Sequence, residues 1–198
     1  AASSVKSEAS RYISEALQQV NDNIDNSIYE LDRMASIINS DKEVLKILSK
    51  DKNRPLKEIL EDEDTMDDKI NNLINFRTNI AGFFVFSYNG EIYSYTNVNN
   101  SIRLDYVFTT TRWYELMKSL QIKKYLIPTH MQDQVLASSQ RKTVFSLVKE
   151  VSDFDTGKAL GNILIDVNTD TFKKIWDKLN TQQYQEFLQV GDERMLTH

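Results

Sequence analysis

The first 53 residues contain neither glycine nor proline, so nothing in them interrupts a helix. Apolar residues fall at Val5, Ala9, Ile13, Ala16, Val20, Ile24, Ile28, Leu31, Ala35 and Ile38. They cover 33 residues in nine steps, an average of 3.67. That is the period of a straight amphipathic helix rather than the 3.5 of a strict coiled coil. A helix of about 35 residues is roughly 50 Å long, more than a small domain needs along its side. The expectation is a helix that flanks a domain and also extends as a stalk, with a homodimer along it as a further expectation.

The helix is expected to break at Asn39-Ser40, where Ser40 and Glu43 have the spacing of a capping box. A short helix with Val44, Leu45, Ile47 and Leu48 on its apolar side follows, completing a segment over 1–53. Asp51 to Arg54 reads as a polar loop, and Pro55 suits a first helical position. Leu56, Ile59, Leu60, Met66, Ile70, Leu73 and Ile74 keep helical spacing. The acidic run Glu61 to Asp64, with Asp67 and Asp68, lies inside this helix. It has no glycine for the sharp turn of a calcium loop, so it reads as a solvated face.

From residue 81 the texture becomes aromatic and β-branched. In "AGFFVFSYNGEIYSYT", Asn89-Gly90 between two such runs is a hairpin signal. Strands are expected near 82–87 and 91–96, loop over 97–107, and helix over 111–120. A strand over 124–127 should end at Pro128. "KTVFSLVKEV", the turn "DFDTG" and "KALGNILIDV" form a second hairpin, and "NTDTFKKIWDKLN" reads as helix. This order predicts an α+β fold, an antiparallel sheet with helices on one side.

Five glycines and two prolines, against roughly 14 and 10 at average usage, agree with long, uninterrupted elements. The net charge is -5, and the basic residues form only pairs such as Lys123-Lys124 and Lys173-Lys174. Nucleic-acid binding wants a basic face, and none is visible. The absence of cysteine removes disulfides, thiolate catalysis and sulfur-ligated zinc. With only His130 and His198, and no phosphate-cradling glycine loop, no cofactor is implied. No run of about 18 apolar residues is present to span a bilayer. The chain opens directly in helix, as a segment of a longer protein would.

The long helix, "FFVFSYNGEIYS", "RWYELMKS" and "VFSLVKEVSDFDTGKALGNILIDVNTDTF" together resemble the extracytoplasmic Cache (PAS-like) sensor domains of bacterial receptors. The likeness is greatest to the double-Cache sensors of YesM-like histidine kinases and covers about residues 1–185. "LGNILIDVN" and the helix opening with Trp-Tyr are its most specific parts. The resemblance implies a membrane-distal Cache lobe over 54–180. It implies that "FLQVGDERMLTH", within 181–198, is either the start of a membrane-proximal lobe or a final hairpin.

It further implies a ligand-sensing module on the extracytoplasmic side of the cell membrane, with transmembrane helices on both sides. A small molecule (a sugar, amino acid or organic acid) would bind and shift helices leading to a cytoplasmic kinase. A chemotaxis-receptor sensor is the alternative. An enzyme reading, a hydrolase using Asp153, Asp155 and Asp166 as paired carboxylates, has no motif behind it. Family members with an amino-acid pocket carry Arg-x-Trp-Tyr and a downstream Asp. Trp113, Tyr114 and Asp166 match, but the arginine stands at 112 and the matching place holds Thr111. One residue on a helix turns a side chain by about 100°, so an amino-acid carboxylate clamp is in question.

The residues themselves leave alternatives at each position. Trp113, Leu116, Met117 and Leu120 form one apolar helix face, which makes Trp113 a core anchor with an indole N–H to spare at the face's edge. Tyr114 sits one step off that face, free for a ligand or for water. Arg112 is a planar donor fork for a carboxylate or phosphate, or an exposed surface residue. Asp166 shares the strand face of Leu164, and there it either faces a cavity or caps the next helix. His130 is expected in a loop after Pro128, as a pocket donor or a surface residue. The candidate ligand-binding set is therefore Arg112, Trp113, Tyr114, His130 and Asp166.

Overall fold

The computed structural model describes residues 2–96, 102–134 and 141–170. Three helices come first: α1 (Ala2–Ser40), α2 (Lys42–Leu48) and α3 (Leu56–Ile74). The hairpin β1 (Ile80–Ser87) and β2 (Ile92–Thr96) follows. Then come a 3-10 turn over Phe108–Thr110, α4 (Arg112–Leu120), and the strands β3 (Lys124–Met131), β4 (Thr143–Ser152) and β5 (Ala159–Asn168). The five strands form one antiparallel sheet in the order β2-β1-β5-β4-β3. The fold is α+β, as the sequence predicts.

The long helix forms as its periodicity requires, but the break after it differs by one residue. Asp41, not Ser40, caps α2: its carboxylate accepts from the backbone N–H of Glu43 and Val44. The Ser40 hydroxyl turns back to the Ser36 carbonyl at 2.7 Å. Pro55 stands just before α3 rather than in its first turn. The Asn89-Gly90 turn closes the first hairpin, with Gly90 at φ 95°, a value a side chain would resist.

The sheet has two unlike faces. Phe83 and Val85 of β1, Leu147 of β4 and Ile163, Ile165 and Val167 of β5 point one way. They join Leu31, Met34, Ile38, Val44, Met66 and Ile70 from α1, α2 and α3 in the main core. Phe84, Phe86, Val148 and Leu164 point the other way, under Trp113 and Met117 of α4. Helices therefore cover both faces, not one. Both sides of β1 and β5 are buried, as a sheet covered twice demands, but on β5 the second side carries the polar Asn162 and Asp166 beside Leu164.

Polar clamps fix the main-core helices to the sheet. Lys149 on β4 reaches Asp32 at 3.0 Å and Ser36 at 2.8 Å on α1. Arg54, before α3, bridges Asp62 and Glu91, and Lys50 adds bonds to Asp62 and Glu58. Asp62 is thus buried, unlike its exposed neighbours Glu61, Glu63 and Asp64. The solvated-face expectation holds for the rest of the run but not for Asp62, because two cations from the preceding loop enclose it.

β3 runs through Pro128 to Met131 instead of stopping, with an irregular register between Ile127 and His130. β3 is an edge strand, where a proline's missing N–H leaves no ladder bond broken. His130 accordingly sits on a strand, not in a loop. The expected helix after Asn168 and the C-terminal hairpin lie outside the described residues.

Candidate functional site

Helix α4 crosses the second face of the sheet and has an opening on each flank. Its start is set locally: the Thr111 hydroxyl donates to the Phe108 carbonyl and accepts from the Tyr114 N–H at 3.3 Å. That cap satisfies an otherwise orphan donor and fixes the rotation of the helix. Trp113 then enters an aromatic cluster with Phe86 and Phe108, both 6.3 Å away between ring centres.

The larger opening is a cleft of about 520 Å³ between α4 and β3. Trp113, Leu116, Ile127 and Leu164 give it an apolar floor, and Arg112, His130 and Asp133 carry its charge and polarity. Arg112 is exposed, and its guanidinium makes no ion pair among the described residues. A planar donor fork over an apolar floor has the chemistry that a carboxylate on a small organic body would need.

Asp166 lies directly beneath this region but does not line the cleft; it is fully buried. Its carboxylate accepts from Gln132 Nε2 at 2.8 Å, Gln134 Nε2 at 2.7 Å and the Ser146 hydroxyl. Burial pushes its carboxyl above the usual range, and the bonds from Ser146 and Gln132, the charge of His130 and the bond from Gln134 oppose that rise. Gln132, Gln134 and Ser146 carried no sequence signal: two are isolated glutamines, and the third is a serine inside a strand.

His130 connects the cleft to this cluster. Its Nδ1 lies 2.8 Å from the Pro128 carbonyl, which can only accept, so Nδ1 carries a proton. Its Nε2 faces the Ser146 hydroxyl at 3.5 Å. Ser146 donates to Asp166, so His130, Ser146 and Asp166 lie in series from the cleft into the sheet. Tyr106 is nearby and was also missed. Its phenol is buried, and its hydroxyl has no hydrogen-bond partner among the described residues. Burial and then the Asp133 charge raise this phenol's pKa, and the Asp166 charge adds to the rise.

Of the five candidate residues, the structure brings Arg112, Trp113 and His130 to one cleft and sets Asp166 behind it. Tyr114 points to the opposite flank of α4, where its hydroxyl meets that of Tyr88 at 3.0 Å. Asp153 does not converge on Asp166. It shapes the β4–β5 turn, accepting from the N–H groups of Asp155 and Thr156. That turn lies at the far end of β5, roughly 20 Å along the strand.

No family model matches the sequence, and no curated protein matches it. The structure is similar to the ligand-binding domain of the Campylobacter jejuni chemoreceptor Tlp3, solved with L-valine. The TM-score is 0.59 at 12% identity, over 87% of this chain and 65% of that one. It is also similar to the Pseudomonas aeruginosa amino-acid chemoreceptor PctC with GABA, at TM-score 0.54 and 12% identity, over 84% of this chain and 62% of that one. A third is the Pseudomonas fluorescens chemoreceptor CtaA with L-isoleucine, at TM-score 0.54 and 10% identity, over 90% and 64%. The chain thus spans less than two thirds of these domains. The long helix on a five-stranded antiparallel sheet is the fold of chemoreceptor sensor domains. At this identity the likeness is one of fold.

Proposed function

We propose that this chain is the ligand-sensing part of a bacterial transmembrane receptor, facing outside the cytoplasm, and that its ligand is a small carboxylate-bearing molecule. The observation that carries this reading is the cleft between α4 and β3: an unpaired Arg112 and a polar His130 stand over an apolar floor. The fold supports it, because the similar chemoreceptor domains were solved with L-valine, GABA and L-isoleucine. Asp166, buried and held by three side-chain donors, is not placed to take an ammonium group; for an amino acid that role would fall to Asp133 in the cleft lining.

A membrane-distal lobe over 54–180, the start of a second lobe over 181–198, and anchoring by flanking transmembrane helices belong to the same proposal. So does pairing of two copies along α1, whose Val5 and Tyr12 are exposed. A histidine-kinase output and a chemotaxis output fit the fold equally well, and the domain encoded after this segment decides between them.

The test is a thermal-shift screen against aliphatic organic acids and amino acids. A true ligand raises the melting temperature by linkage. Arg112→Ala and His130→Ala should each abolish the rise. A shift that survives both substitutions, or no shift with any acid, overturns the assignment.

A further inference from the structure

The loop between α3 and β1 holds a large apolar side chain in water. Phe76 is fully exposed, and its φ of 66° lies in the left-handed region. Glycine or asparagine is the usual residue where a helix ends in that conformation. For a bulky side chain it is strained. The bonds of the loop impose it. The Arg77 N–H donates to the Ile74 carbonyl at 2.9 Å, and the Arg77 Nε donates to the Leu73 carbonyl at 2.8 Å. The same guanidinium reaches Glu30 of α1 at 2.6 Å. Phe76 is thus displayed from a fixed point, and neither its strain nor its exposed ring supports the packing described above.

The chain leaves the sheet beside this ring. At the end of β5 the Asn168 N–H donates to the Asn79 carbonyl at 2.8 Å, three residues from Phe76. Thr169 is buried, and its hydroxyl donates to the Thr143 carbonyl at 3.1 Å. Asp170 is already helical, and its N–H donates to Asn168 Oδ1 at 3.1 Å, the bond an N-cap makes. The exit is therefore fixed in place and opens a helical turn.

The residues that follow are "TFKKIWDKLN", 171–180. Phe172, Ile175, Trp176 and Leu179 have the spacing of one apolar helix face, with three lysines off it. Phe76 is within about 10 Å of Asn79 along the chain. A helix from the cap carries Phe172 about 6 Å beyond Asn168. The ring and the apolar face are within reach of each other.

We infer that residues 171–180 dock on the α3–β1 loop, with the face of Phe172 and Trp176 seated on Phe76. The occupant is this chain's own segment rather than a second copy, because the fixed exit holds it at high local concentration and no association is needed. Seating the ring offsets the left-handed strain. The Arg77–Glu30 pair then links the segment after β5 to the long helix α1. The inference does not depend on the ligand assigned to the cleft.

Urea midpoints and tryptophan fluorescence of the whole chain test it. Phe76→Gly relieves the strained backbone and removes the ring. A ring standing in water would make this variant more stable than wild type; a seated ring makes it less stable, which is the expected result. Trp176→Ala should also destabilise, and the double variant should lose less than the sum of the two, as residues in contact do. Trp113 and Trp176 are the only tryptophans, and Trp113 lies in the α4 cluster. A red-shifted emission and stronger acrylamide quenching in Phe76→Gly would therefore report an uncovered Trp176. The inference is overturned if Phe76→Gly is more stable than wild type, if the two losses add, or if the emission does not change. It is also overturned if sedimentation shows that Phe76→Gly turns a dimer into a monomer, since the ring then belongs to a second copy.

Discussion

The two faces of the sheet solve the same packing problem differently. On β5, Ile163, Ile165 and Val167 meet α1, α2 and α3 in a continuous apolar core. The alternate residues Asn162, Leu164 and Asp166 meet α4, a nine-residue helix that cannot cover the strand's whole length. Along β5 the first face buries only hydrocarbon. The second keeps two polar groups buried and an opening on either side of the helix. A face covered by one short helix gives up packing, and the space it leaves is where a small molecule can be held.

The largest effect should come from two neighbours on opposite faces. Ile165→Ala, in the closed core, is expected to cost about 4 kcal/mol. Leu164→Ala, bordering the larger cleft, should cost about 2 kcal/mol, because its site opens to solvent instead of leaving a sealed cavity. Urea midpoints at constant slope measure both. Equal losses would mean that the second face is as tightly packed as the first.

The next effect concerns Asp166 and has a defined sign. Its folded carboxyl is raised, so the folded state binds the proton more tightly than the unfolded chain. Its contribution to stability is full below the unfolded value of about 4 and is lost as pH rises through the folded value. Asp166→Asn, which does not titrate, should therefore gain on wild type in melting temperature as pH rises above about 4. A difference that moves the other way would mean that Ser146, Gln132 and Gln134 outweigh burial. Carboxylates held low by cations, such as Glu91 beside Arg54, titrate in both proteins and cancel from the comparison.

The smallest effect is a gain. Asn162 Oδ1 is a buried acceptor without a hydrogen-bond partner among the described residues. Asn162→Leu should stabilise the protein by about 1 kcal/mol, read from the same urea titration. Destabilisation would show that Asn162 has a role in the fold itself.

Much of this was legible in the chain. The helical period of the first 38 residues, the Asn89-Gly90 turn and the helix that opens with Arg112 are local signals. Backbone sterics and short-range hydrogen bonds produce them, and each forms where the sequence places it. The alternation along "LGNILIDVN" also told that Asp166 and Leu164 share a face. The strand through Pro128 was not legible, because an edge position, known only from the strand order, makes a proline harmless. Nor was the burial of Asp62, which depends on Lys50 and Arg54 folding back over it.

The candidate site divides in the same way. The sequence by itself determined the elements, their apolar faces and the residue types on α4 and β5, because periods of 3.6 and 2 are set within a few residues. Only the tertiary structure decided that α4 lies across the face opposite the long helix. That placement sends Arg112 and Tyr114, two residues apart, into different clefts. It also gathers Gln132, Gln134 and Ser146 around Asp166 while leaving Asn162 without a partner. Those are contacts between segments distant along the chain, and chain closure, not local preference, brings them together.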